Sequence, residues 1–89
     1  MKVELAKSIS VTVSRAGWLS LSEQPGGAQS LWSPAHTAAW IALQQHGGDA
    51  PAAATTLAGH WGAEPSLVRK EMDAWVSQWV GAGYLRKRE

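Results

Sequence analysis

Two hydrophobic rhythms run along this chain, and they change over at Trp32-Ser33-Pro34. Upstream the period is two. Ile9-Ser10-Val11-Thr12-Val13 alternates apolar and polar, with β-branched side chains at four of its five positions, the pattern of a half-buried strand. Trp18-Leu19-Ser20-Leu21-Ser22 alternates again and sets Leu19 and Leu21 on one face. Ala28 to Trp32 supplies a short third strand. Ser14-Arg15-Ala16-Gly17 is turn material, and Gln24-Pro25-Gly26-Gly27 places Gly after Pro, as a type II turn requires. These segments predict a three-stranded antiparallel meander. Such a sheet is marginal alone and gains stability from helices packed on one face.

Downstream the period becomes helical. Ser33 is a good N-cap, and Pro34 at the first helical position loses no hydrogen bond. The first helix is expected from Pro34 to His46, ending at Gly47-Gly48, with Trp40, Leu43, Ala39 and Ala42 on its apolar side and Ile41 on the flank. The second is expected from an Asp49 cap, with Pro51 in its first turn, to Trp61. Ala54, Leu57, Ala58 and Trp61 fall on one face, and Gly62 closes the helix. The third opens at Pro65 and carries Val68, Met72, Trp75, Val76, Trp79 and Val80 at helical spacing. Gly83 takes the C′ position, and Tyr84 folds back on the last turn. Arg86-Lys87-Arg88-Glu89 reads as a solvated, charged tail. The expected fold is therefore α+β and winged-helix-like: an N-terminal three-stranded antiparallel β-meander, then three α-helices, in one domain over residues 1–89.

Composition sharpens this picture in one respect. With 89 residues the core is small, and much of the apolar content is alanine. Bulk comes from six tryptophans, Trp18, Trp32, Trp40, Trp61, Trp75 and Trp79, with one tyrosine and no phenylalanine. Most are expected in the core, since each buries a large area. Indole is also a frequent anchor at binding surfaces, so one or two are expected to serve a partner.

Charge and reactive groups exclude more than they suggest. The formal net charge is +1, no electrostatic argument for nucleic acid or an anionic membrane. Chains without cysteine carry no disulfide or thiolate metal site and suit a reducing, cytoplasmic setting. No apolar run is long enough for a signal peptide or a membrane span. His36, His46 and His60 have no metal-ligand spacing. Glu71 and Asp73 point to different sides of the third helix, and no carboxylate pair, nucleophile elbow or phosphate loop occurs. The chain is expected to be no enzyme and to hold no cofactor or metal. A winged-helix DNA-binding module is the alternative, and an interaction domain that pairs with itself through its edge strand is a third reading. Against DNA binding, the third helix offers only Arg69 and Lys70 before Glu71 and Asp73, where a major-groove helix wants several basic or amide side chains. The sheet also precedes the helices, whereas a wing usually follows its recognition helix.

The order of elements and their punctuation resemble the PqqD-like domains, the precursor-peptide recognition elements of RiPP biosynthesis, from about Ile9 to Leu85. The residues that carry the resemblance are Trp32-Ser33-Pro34 with Trp40, Trp61-Gly62, Glu71-Met72, Trp75-Val76, Trp79 and Gly83-Tyr84-Leu85. The chain departs from the family pattern where Ser33 stands for the usual Asn and Glu71 for the usual Asp, and its hairpin lacks a Gly-Arg-Tyr-like step.

The resemblance implies a peptide chaperone. It would bind the leader of a ribosomally made peptide as an added strand and present the precursor to a leader peptidase and cyclase, as in lasso-peptide assembly, or to a radical modifying enzyme. The implied peptide-binding residues are Ala28, Gln29, Ser30 and Leu31 on the edge of the third strand. Val68, Arg69, Met72 and Trp75 would form the helical wall, with Trp79 deeper. Neither nucleic acid nor a membrane is an expected partner.

Overall fold

A computed structural model describes residues 2–24 and 26–88. Eight elements follow in order: β1 (Val3–Leu5), β2 (Ile9–Val13), β3 (Leu19–Glu23), β4 (Gln29–Trp32), α1 (Pro34–Gln45), α2 (Ala50–Trp61), α3 (Pro65–Gly81) and β5 (Leu85–Lys87). The expected class holds: an α+β fold with an antiparallel sheet in the order β2-β3-β4, then three helices. Pro25 and Glu89 lie outside the described residues, and with Pro25 lies the expected type II turn.

The register shows why the alternation matters. Leu19 pairs with Val13 and Trp32, and Leu21 with Val11 and Ser30. Leu19 and Leu21 are buried against the helices, while Ser20 and Ser22 face outward beside Thr12 and Leu31. Gly17 closes the first turn on Ser14 and receives the Thr37 hydroxyl on its carbonyl at 2.6 Å, which ties the hairpin to α1. Trp18 and Ala28, expected to open the second and third strands, stand one residue before β3 and β4.

The helices begin and end as their punctuation requires. The Ser33 hydroxyl accepts from the His36 N–H, and the Asp49 carboxylate from the Ala52 N–H. Helix α1 ends in a Schellman arrangement: Gly48 N–H donates to the Leu43 carbonyl and Gly47 N–H to Gln44, with Gly47 in the left-handed region. Gly83 and Tyr84 repeat this on Val80 and Trp79 at the end of α3.

Arg86, Lys87 and Arg88 of the charged tail are exposed as expected, but the segment is also structured. Leu85–Lys87 is a strand, antiparallel to Val3–Leu5 at the other end of the chain, with Glu4 opposite Arg86 and their side chains 3.4 Å apart. Val3 and Leu85 are buried. Three-residue strands are too short to display a period, and their partners lie at opposite ends of the sequence. β1 also rests on the α1–α2 turn, where Val3 N–H donates to the Gly48 carbonyl at 3.0 Å.

One core results, formed by Leu19 and Leu21, the alanine-rich faces of α1 and α2, and Val68, Met72, Val76 and Trp79 of α3. The tryptophans are less buried than their bulk suggests. Trp40 and Trp79 are buried, Trp32 and Trp75 half-buried, Trp18 and Trp61 exposed. Trp61, the last residue of α2, is exposed although it shares the helix face of the buried Ala54, Leu57 and Ala58. Among the described residues no helix is long and apolar enough to cross a membrane.

Candidate functional site

β4 is an edge strand, and hydrogen-bond alternation decides which of its groups are free. Ser14 N–H donates to the Trp18 carbonyl and Gln24 N–H to Ser8, so the even-numbered residues of β2 and β3 bond to each other. The peptide groups of Leu19 and Leu21 must then point to β4, where they meet Trp32 and Ser30. Gln29 and Leu31 therefore direct their N–H and C=O groups away from the sheet. Leu31 adds a side chain that is 66% exposed.

A row of aromatic rings stands beside this edge. Trp32 lies 5.4 Å from His36 and 5.8 Å from Trp79, centroid to centroid. His36 lies 4.8 Å from Trp75, and Trp75 lies 6.4 Å from Trp61. The row thus runs from β4 across the start of α1 to α3 and the end of α2. Beneath it the Ser30 hydroxyl donates to the Tyr84 hydroxyl at 2.8 Å and accepts the Trp32 indole N–H at 3.0 Å. The network holds Trp32 on the helix-facing side and engages the Ser30 hydroxyl within the protein.

His36 is held as firmly. Its Nδ1 is 2.7 Å from the Ser33 hydroxyl, at the position where a capping box places Glu or Gln. Burial pushes its imidazole below the ordinary histidine value, so the ring is neutral at pH 7. The Ser33 hydroxyl and Nδ1 share one hydrogen bond, whose donor follows from the imidazole tautomer.

The implied site residues do not stay together. Gln29, Leu31 and Trp75 border open surface, at the edge and beside it. Val68, Met72 and Trp79 are buried and serve as core that seats α3. Arg69 stands about 120° around α3 from Trp75 at 100° per residue and lines a different cleft, with Pro51, Ala54, Thr55 and Ser66. Ala28 precedes the strand and is exposed. The face of α3 that carries Trp75 continues through Glu71, Gln78 and Ala82, at i−4, i+3 and i+7, and all three are exposed. Trp32, His36 and Gln78 belong to this region although they are not among the implied peptide-binding residues. For His36 the signal lay in Ser33-Pro34-Ala35-His36, a cap followed three residues later by a side chain able to bond it.

A second opening, of about 290 Å³, lies between α1 and α2 among Ile41, Leu57, His60 and Trp61. Among the described residues no three His, Cys, Asp or Glu side chains converge to hold a metal. In comparisons with known proteins, no family model, curated protein or solved structure matches this chain.

Proposed function

We propose that the chain binds the leader segment of a ribosomally made precursor peptide as a strand added to β4, and presents the precursor to its processing enzymes. The observation that carries this reading is the pairing of a free strand edge with an aromatic wall. Gln29 and Leu31 offer main-chain groups that bind any extended peptide. Trp32, His36 and Trp75 flank them on one side, where alternate side chains of an added strand would fall. Affinity then comes from the backbone, and selectivity from the side chains that meet the rings.

The enzymes served are a leader peptidase and cyclase or a radical modifying enzyme; the groove has the same form in either case. The chain itself brings no group to the chemistry and acts by holding the substrate. Its contribution is an entropic one: a tethered peptide meets its enzyme at the effective concentration set by the bound leader.

The test is a pair of titrations followed by tryptophan fluorescence. One uses the leader segment of a short precursor encoded beside the protein's gene, the other duplex DNA. Saturable quenching or enhancement with the leader alone is expected. A response to DNA and none to the leader would overturn the reading in favour of a nucleic-acid module.

A further inference from the structure

The sheet has a second free edge, β2, on the side away from the groove. By the same alternation that frees Gln29 and Leu31, the odd residues Ile9, Val11 and Val13 direct their peptide groups outward. Their side chains share the face of Leu19 and Leu21, yet the helical layer covers only part of it. Ile9 packs against the core, whereas Val11 is 39% and Val13 45% exposed. Hydrogen-bonding groups and uncovered apolar side chains thus come from the same residues. Natural edges are usually blunted by charge, proline or a bulge. Ile9–Val13 has no charge and no proline, and its pairing with β3 runs unbroken from Ile9–Glu23 to Val13–Leu19.

We propose that β2 pairs antiparallel with β2 of a second copy of this chain, about a two-fold axis at Thr12, to make a continuous six-stranded sheet. A second copy is the occupant because the strand is its own complement. All its free groups lie on residues of one parity, so odd opposite odd satisfies both partners at once, as an isologous interface demands. Centred on Thr12, the register sets Val11 opposite the partner's Val13 and Val13 opposite the partner's Val11, two β-branched pairs of the kind that stabilise ladders. The four valines close one apolar strip between two helical layers that lie on the same side of the sheet.

Charge selects this register. Centring on Val11 would bring Lys7 and the partner's Arg15, from the turns that flank β2, to the same end of the ladder as like charges. Centring on Thr12 puts the partner's Arg15, in the turn just past β2, beside Ile9. The next residue across the ladder from Ile9 is Glu23, on the same face, within reach of a guanidinium. The symmetric contact forms twice. The two β4 edges remain free at the outer ends of the assembly, so dimer formation and peptide binding stand or fall separately.

Sedimentation equilibrium of the full chain, from micromolar to near-millimolar concentration, tests the interface. A species of twice the 9.5 kDa chain mass is expected, and it should revert to the single-chain mass in Val11→Lys. Leu31→Lys, on the opposite edge, should leave the dimer intact. Circular dichroism checks that each variant is folded. Should Val11→Lys not fold, amide exchange of the unaltered chain still decides: the Val11 and Val13 amides should become protected as concentration rises, with no change at Gln29 and Leu31. A single-chain mass at every concentration, a dimer that survives in folded Val11→Lys, or concentration-independent exchange at Val11 and Val13 would overturn the proposal.

Discussion

Trp79 stands edge-on to Trp40, with ring centroids 5.0 Å apart and planes at 89°. The pair joins α3 to α1 in the middle of the core, and Trp32 of β4 meets Trp79 edge-on from the other side at 5.8 Å. The position of α3 beside the free edge of β4 therefore depends on buried indoles. Edge-to-face pairs of this kind add about 0.5–1.5 kcal/mol beyond their area burial. The Trp79 Nε1 is the one buried side-chain polar atom without a hydrogen-bond partner among the described residues.

Trp40→Ala should destabilise the fold by about 3–5 kcal/mol, the usual range for removing a buried large aromatic. Denaturant unfolding of parent and variant measures it. A loss below about 1 kcal/mol, the scale of surface substitutions, would mean that Trp40 does not hold α1 on the core.

Met72→Ala and Trp75→Ala should part company. Met72 is fully buried, and its truncation should cost about 2–5 kcal/mol of stability. Trp75 is half-buried in the aromatic row, so its truncation should leave a folded chain whose leader binding is weaker by about 2 kcal/mol or more, the scale of a binding hot spot. Melts and leader titrations on both variants check the separation. Equal binding by parent and folded Trp75→Ala would remove α3 from the groove.

Both roles on α3 arise from one sequence stripe. Val68, Met72, Trp75, Val76, Trp79 and Val80 share helical spacing, and spacing alone does not tell a buried position from one at the stripe's margin. Trp75 lies at the margin and Met72 at the centre, a difference set by how α1 and α2 sit on the helix. The meander, the caps and the glycine stops were legible because each rests on neighbouring residues: alternation, Ser33-Pro34, Asp49, and Gly47 and Gly83. The β1–β5 pair was not, since it joins Val3 to Lys87 across the whole chain. The bond of His36 to Ser33 is local, but the place of its ring in the aromatic row arises only where β4, α1 and α3 meet.

Gly48→Ala should loosen the N-terminal strand. Gly48 has φ +87°, in the left-handed region, and an added Cβ would land on the Val3 backbone carbonyl. Left-handed backbone alone costs a non-glycine residue about 1–2 kcal/mol, and here the clash adds to it. The melting temperature should fall, and the Val3 amide, bonded to the Gly48 carbonyl, should lose exchange protection. An unchanged Val3 amide would show that β1 is held elsewhere.

His36 should make stability pH-dependent. Burial lowers its folded-state value from the ordinary 6.5, so below pH 6.5 the unfolded chain binds the proton first. Stability contributed by the neutral ring is complete above the unfolded value and declines as pH falls toward the lower folded value. Unfolding free energies of parent and His36→Gln, measured between neutral and mildly acidic pH, should converge as the pH drops. A difference independent of pH would show that His36 titrates alike in both states.

Strand addition at β4 makes its most direct claim on two amides. Main-chain hydrogen exchange, measured residue by residue with and without the leader segment, reads them without reference to side chains. Gln29 and Leu31 should pass from freely exchanging to protected when the leader binds, and the Trp75 indole resonance should shift in the same titration. Binding that leaves both amides exchanging freely, or that protects Ile9, Val11 and Val13 instead, would contradict recognition at this edge.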